Sequence, residues 1–334
     1  MTLKRILPYY HPSTIVFVDD NERFLDSFTL LLSEELAFRS FSHLRAALDF
    51  INHSQTTPLD QRCISLMGRH SGGSGAVRLD LALIEQEISN PNRFQEVSVV
   101  VVDYDMPEMN GLAFCEAIQN PRIKKVLLTG VGDEKVAVKA FNEGLIDRFL
   151  TKNDPDIGRK INETISDLQR AYFRDLSTLI QNMLALKSAD FIQDEAFIAT
   201  FLSIKTKLSI VEYYYVEEPN GFLMVSCEGK LYRLIVCNES DIDEQIFSIR
   251  RLSPPKSLMA HLAQRKSLLW LWMPEEDIDE DESFDWQDYA HPATKVEGRQ
   301  VWYFAIVDNP PADIEYDSEA SSYASYLAEL DAHD

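Results

Sequence analysis

A doubly wound α/β sheet of five parallel strands, then a long helix and a C-terminal α+β unit with a mainly antiparallel sheet, is the architecture this sequence predicts. Three observations carry it. Short apolar runs alternate with helix-spaced segments through residues 14–151, the pattern of a sheet wound by crossover helices. Residues 97–102 are Val-Ser-Val-Val-Val-Val, as expected of a strand buried on both faces of a parallel sheet. Beyond Pro155, apolar residues recur at spacings of three and four for about thirty residues, and β-rich runs separated by tight turns follow.

The first strand is 14–18, running into Asp19-Asp20. A helical pattern follows over 22–35, with Phe24, Phe28, Leu31, Leu32 and Leu36 at helical spacing. Residues 37–41 form a second strand, and Ser42 caps a helix to about His53. The alternation then stops. Residues 55–74 are polar and end in Ser-Gly-Gly-Ser, a flexible composition. Helical spacing returns over 78–89. Beyond the 97–102 strand, helices are predicted over 111–119 and 135–143, with strands over 125–129 and 147–151.

The long helix covers 155–187. Its apolar seam runs through Ile161, Ile165, Leu168, Tyr172, Leu176, Leu179 or Ile180, Met183 and Leu186, spacing that suits either internal packing or a helical dimer. The last part opens with a helix over 195–207 capped by Asp194. Strands follow over 210–216, 222–227 and 231–236, with Pro219-Asn220-Gly221 and Glu228-Gly229-Lys230 as turns. Helices over 241–251 and from Ser253 to 266, strands over 268–273 and 301–307, and a closing helix over 321–330 complete the pattern. The predicted division is 1–154 with an insertion at about 55–95, a connecting helix over 155–188, and an output unit over 189–334.

Composition narrows the class. With 45% hydrophobic residues among 334, the chain holds enough apolar side chain for real cores. No apolar run approaches the ~18–20 residues of a membrane helix, and the N-terminus lacks an apolar signal core, so a cytoplasmic, membrane-free protein is expected. Four cysteines without CxxC spacing fit a reducing compartment. The net charge of −22 is concentrated in the last part: from Phe191 onward, 11 Lys and Arg face 28 Asp and Glu. Such a surface repels phosphate backbones and argues against nucleic acid as a partner. The basic cluster Arg250, Arg251, Lys256, Arg265 and Lys266 is the local exception.

In a doubly wound sheet, ligands collect outside the carboxyl ends of the strands. Asp19 and Asp20 end the first strand, Asp103 the third, Thr129 the fourth and Lys152 the fifth. Three acids, a hydroxyl and an amine thereby converge on one edge. Carboxylates suit Mg²⁺, which takes oxygen ligands. Asp19, Asp20 and Asp103 supply them, with the backbone carbonyl of Asp105 placed to complete the set. Asp103 is the candidate nucleophile. Thr129 and Lys152 are suited to phosphoryl oxygens, because phosphoryl transfer is governed by positioning and charge stabilisation.

With these residues in hand, the chain resembles the CheY-like receiver family of two-component response regulators. The resemblance covers about residues 13–165 and rests on Val-Asp-Asp (18–20), Val-Asp-Tyr-Asp-Met-Pro-Glu-Met-Asn-Gly (102–111), Leu-Leu-Thr-Gly (127–130) and Phe-Leu-Thr-Lys (149–152). It implies a flavodoxin-like fold, Mg²⁺, and phosphorylation of Asp103 by a sensor histidine kinase or phosphotransfer protein. It also implies coupling of Thr129 to an aromatic switch, here Phe149. The expected function is that of a regulated phosphoryl acceptor and not an enzyme in the ordinary sense, with phosphorylation promoting a homodimer and output by protein contact.

Two departures stand out. Asn153 follows Lys152 where the family usually has proline. The distance from Asp20 to Asp103 is 83 residues, longer than the family pattern by the 55–95 insertion. A long second helix with an insertion resembles the bacterial α-hydroxyketone quorum-sensing regulators. The alternative is a transcriptional or nucleic-acid-binding regulator with a catalytically silent nuclease-like output unit, in which Glu218, Glu228 and Lys230 loosely follow a PD-(D/E)xK spacing. Gly229 puts that triplet in a turn where the motif expects a strand.

Overall fold

The computed structural model describes residues 5–53, 58–66, 77–130, 133–184, 189–272, 286–311, 316–318 and 320–333. The chain divides into two compact units. One comprises Tyr10–Arg62, Asn90–Thr178 and Tyr323–Asp334; the other comprises Met1–Tyr9, Cys63–Ser89 and Leu179–Ser322. These units depart from the contiguous division expected from sequence. The 63–89 part of the insertion groups with the output unit, and the C-terminal helix groups with the receiver.

In the receiver unit, five parallel strands stand in the order Phe38–Phe41, Thr14–Val18, Val97–Asp103, Lys124–Thr129, Arg148–Thr151. The central strand is buried along its whole length, the burial that its β-branched run anticipates. Alternate residues feed two cores. Val100, Val102 and Leu127 meet Phe114, Ala137 and Ile146 on one face. Val99, Val101 and Leu128 meet Leu25, Phe28, Ile161 and Ile165 on the other.

The long helix spans Ile157–Leu184. Its seam is not an open stripe: Ile161, Ile165, Leu168, Tyr172, Leu176, Ile180 and Leu184 are all buried within the chain, and Leu179 is half exposed. Leu186 lies outside the described residues. The apolar spacing from Ile161 to Leu176 is therefore that of a helix face packed within the chain, and Met183 is half-buried.

The first helix is shorter than its apolar spacing predicts and ends at Thr29. Asn162 of the long helix accepts from the Ser33 amide at 2.9 Å and donates to the Leu31 carbonyl at 2.8 Å. A side chain thus takes backbone groups that another helical turn would have used. The helix expected over 78–89 begins instead as the strand Val77–Leu79, antiparallel to Ile64–Leu66. A short helix, Ala82–Glu85, and a 3₁₀ turn, Gln86–Ser89, follow. Leu79, Leu81 and Leu83 satisfy period two as well as helical spacing, so this stretch was ambiguous. Most of the flexible stretch expected over 55–74 lies outside the described residues, but Leu59–Cys63 is a helical turn with Leu59 and Cys63 buried.

The output unit is built on a six-stranded sheet ordered Tyr9–Tyr10, Ile210–Val216, Gly221–Ser226, Leu231–Asn238, Val301–Asp308, Thr294–Glu297. The meander runs as expected, with antiparallel pairing through its three strands and on to Val301–Asp308. The strands Tyr9–Tyr10, Ala290–Pro292 and Thr294–Glu297 were not foreseen; all are short and two carry charged or proline residues. Asp194 caps the helix Glu195–Lys207 as expected. Its carboxylate also accepts from the Arg299 amide at 2.7 Å and the Trp302 indole at 3.1 Å, tying that helix to the sheet. Ser253 does not cap the next helix, Lys256–Ala263; it sits in a left-handed conformation at φ 51°, and Pro255 takes the cap position. The strand expected over 268–273 is Ser267–Leu269, paired with Ala290–Pro292 outside the main sheet. The stretch 275–288, which carries nine Asp and Glu residues, lies mostly outside the described residues. Among the described residues, no helix is long and apolar enough to cross a membrane.

Candidate functional site

Strand ends build the site. Thr14–Val18 is fully buried and delivers Asp19, 1% exposed, to the carboxyl edge. The Asp19 amide donates to the Phe41 carbonyl at 3.2 Å, and one carboxylate oxygen accepts from the Asn21 amide at 2.9 Å. Asn21 in turn caps the helix Glu22–Thr29 by accepting from the Phe24 amide. Asp20, between them, is exposed.

The acceptor strand ends on Asp103, which is 5% exposed. The loop after it folds back onto the strand's own backbone. The Gly111 amide donates to the Tyr104 carbonyl at 2.9 Å, and a Cβ at Gly111 would lie 2.2 Å from the Asp103 carbonyl oxygen. Any side chain there displaces the loop or the strand end, so the Met-Pro-Glu-Met-Asn-Gly stretch ends on the one residue that fits. Asn110 caps the next helix by accepting from the Ala113 amide at 2.9 Å, and Met106 is buried beneath the loop.

Thr129 is buried at the end of its strand; its hydroxyl donates to the Leu150 carbonyl at 3.4 Å. The Lys152 amide donates to the Thr129 carbonyl at 3.0 Å, which registers the last two strand ends. The Lys152 ammonium lies 2.5 Å from an Asp19 oxygen and 2.8 Å from an Asp103 oxygen. Carboxylate oxygens of Asp19, Asp20 and Asp103 all come within 4.8 Å of one another. Burial pushes the Asp103 carboxyl above the ordinary carboxylate range, and the nearby Asp19 charge adds to that; hydrogen bonding and charge from Lys152 pull the other way.

Three carboxylates facing one ammonium leave the cluster net anionic. Its donors are oxygens without His or Cys, which suits a hard divalent ion such as Mg²⁺ and not zinc. Asp105 is exposed and its side chain stands outside this carboxylate cluster; its expected part was through the backbone carbonyl. Phe149 is half-buried, pairs in register with Leu127, and packs on the core that includes Ala137 and Ala140. The sequence reading missed Phe24. It counted there as a core-spaced residue, whereas its ring lies 4.2 Å from the Lys152 ammonium.

The nuclease-like triplet does not converge. Glu218 lines an open pocket of about 560 Å³ with Glu217, Asp241 and Glu244. Glu228 accepts from the Ser226 hydroxyl, and Lys230 pairs with Asp308 at 3.1 Å. In the basic cluster, Arg265 pairs with Asp243 at 2.7 Å, while Arg250, Arg251, Lys256 and Lys266 are exposed.

A five-stranded parallel sheet with this edge defines a response-regulator receiver, and residues 80–160 match the family model described as the response regulator receiver domain. The chain belongs to the response-regulator family. Over its whole length it is similar to the response regulator LqsR of Legionella pneumophila, with 34% identity, 98% of this chain and 97% of that chain covered, and a TM-score of 0.79. Partial similarities include an adenylate cyclase from Rhodopirellula baltica, at 23% identity over 52% of this chain and 98% of that chain, TM-score 0.35. Another is a CheY-like receiver domain protein from Methanospirillum hungatei JF-1, at 17% identity over 49% and 98%, TM-score 0.33. No curated protein matches the chain.

Proposed function

We propose that Asp103 accepts a phosphoryl group from a sensor histidine kinase or phosphotransfer protein, and that the modified receiver signals by protein contact in a cytoplasmic quorum-sensing circuit of the α-hydroxyketone type. The observation that supports this best is the convergence of Asp19, Asp103 and Lys152 within 2.5–2.8 Å contacts at one sheet edge.

An Asp103 oxygen attacks phosphorus in line with the phosphohistidine P–N bond; that bond breaks, and the departing imidazole takes up a proton. Mg²⁺, held by Asp19, Asp20, Asp103 and the Asp105 carbonyl, would offset charge between carboxylate and phosphoryl oxygens. Lys152 is close enough to Asp103 to move from carboxylate to phosphoryl oxygen with little displacement. The Thr129 hydroxyl has only a long 3.4 Å bond to give up, so turning toward the phosphoryl group costs it little. Phe149, on the strand that carries Lys152, is the side chain we expect to report that turn to the receiver surface. There the helix Glu134–Asn142 leaves Val136, Val138 and Phe141 36–44% exposed. With the long-helix seam buried, this helix is the surface we propose for phosphorylation-promoted pairing of two copies.

Incubation with Mg²⁺ and acetyl phosphate tests both parts. One phosphoryl group should appear by intact mass; Asp103→Asn should carry none, and Asp20→Ala should label slowly. Equal labelling of Asp103→Asn would sink the acceptor assignment. Sedimentation of the labelled chain should show a shift toward dimer that Phe141→Glu abolishes; a labelled monomer removes the pairing mechanism.

A further inference from the structure

Lys152 has a third neighbour besides the two carboxylates. The ring of Phe24 lies 4.2 Å from its ammonium, well within the range of a cation–π contact. The ring is held from several sides. It stacks on Phe28 at 5.1 Å and 26°, and Phe28 meets Phe17 of the first strand at 5.9 Å. The Phe24 amide donates to the side chain of Asn21, whose own amide donates to Asp19. Ring and carboxylate are thus set by one short stretch of backbone.

That loop does little to aim the side chain. It is fixed by the Lys152 amide on Thr129 and the Asp154 amide on Thr151, both at 3.0 Å, and Asn153 brings no ring to restrict the backbone after the lysine. A lysine stem has four rotatable bonds and keeps substantial rotamer freedom unless its head is held. Asp19 and Asp103 alone would hold it only while both remain free carboxylates. Phosphoryl transfer changes one of them, and metal binding competes for both. The aromatic face is the partner that neither event alters.

We propose that Phe24 is a positioning residue for phosphoryl transfer to Asp103, its ring face holding the Lys152 ammonium over the acceptor carboxylate. The proposal rests on Asp103 being the acceptor. Electrostatic attraction to the ring falls as fluorine is added, whereas ring size and apolar area are nearly kept. A series with phenylalanine, 4-fluoro-, 3,5-difluoro- and 3,4,5-trifluorophenylalanine at position 24, together with Phe24→Trp and Phe24→Leu, therefore separates positioning from packing. Three quantities are read in the full chain: the Asp103 labelling rate with acetyl phosphate and Mg²⁺, the thermal midpoint, and the ring-current shift of the Lys152 Cε–H resonance, assigned with Lys152→Arg.

The labelling rate should fall stepwise with fluorine, by about 2–5-fold at trifluorophenylalanine. Leucine should match that loss, tryptophan should restore the rate, and the midpoint should stay level across the fluorinated set. The upfield shift of Lys152 should vanish in Phe24→Leu. A rate flat along the fluorine series, or a leucine variant labelled at the parent rate, overturns the positioning role while leaving the acceptor intact. A parent chain that takes no label, or an Asp103→Asn chain that labels equally, overturns the acceptor reading and the role of Phe24 with it, even if the ring-current shift is present.

Discussion

Asp103 costs the folded receiver stability in its charged form. Its carboxyl is raised by burial, so the folded state binds its proton more readily than the unfolded chain does. The sign follows from linkage. Below the ordinary aspartate range both states are protonated and nothing is lost; as pH rises from that range through the raised value, the unfolded chain ionises first and stability falls, with the full loss reached once pH has passed the raised value. At neutral pH and without metal, Asp103→Asn should raise the thermal midpoint. A calorimetric scan in EDTA checks it, and a lower midpoint for the variant would show that the Lys152 pairing outweighs burial. At this scale much of the site was legible. Asp19, Asp20, Asp103, Thr129 and Lys152 each end a strand, and strand ends can be read from apolar runs. Phe24 could not be, because its spacing equally fits a core position and only the fold brings a lysine from a distant strand beneath it.

Among the elements, the C-terminal helix Tyr323–His333 is the one whose role the sequence concealed. Its position at the chain's end suggested part of the output unit, yet its tyrosines complete the receiver. The Tyr323 hydroxyl accepts from the Ala37 amide at 2.9 Å and donates to the Glu35 carbonyl at 2.8 Å, bridging the backbone that enters the second strand. The Tyr326 hydroxyl meets the Thr14 hydroxyl at 2.8 Å, and Thr14 spends its own proton on the Phe94 carbonyl. Both rings pack on Phe94, at 5.2 and 5.6 Å. The two hydroxyls are therefore unequal. Tyr323→Phe strands a buried amide and should cost about 1–3 kcal/mol, whereas Tyr326→Phe removes one donor from an oxygen still engaged and should cost about 0.5–1.5 kcal/mol. Urea unfolding of the two variants measures the order; equal costs, or the reverse, would mean that the helix holds by ring packing alone. The helix itself was legible, from Tyr323, Tyr326 and Leu330 at spacings of three and four, but its docking partner was not, because periodicity says which face is apolar and nothing about what covers it.

For the molecule as a whole, the two compact units interleave along the chain where a contiguous output unit over 189–334 is expected, because local pattern carries no information about which distant segment joins which core. Excursions such as Cys63–Ser89 are tolerated because loop closure grows costly only slowly with length. Their contribution to the output unit is specific. The Tyr215 amide donates to the Pro8 carbonyl at 2.7 Å, and the Ile6 amide to the Ile192 carbonyl at 2.9 Å, so the N-terminal segment extends the sheet at the 210–216 edge. The helix Ala82–Glu85 packs on the same strand. Glu85 also answers Arg233, a fully buried guanidinium that burial pushes down to about 10, with the Glu85 charge the largest influence opposing that fall. A fragment of residues 189–334 loses the sheet edge, the covering helix and that counter-charge together. We expect this fragment to show no cooperative thermal transition, while the intact chain does. Glu85→Gln in the intact chain should lower the midpoint in the same direction, by less than the deletion. A fragment that melts cooperatively near the parent midpoint would restore a contiguous output domain and reduce the 63–89 segment to an ornament of the receiver loop.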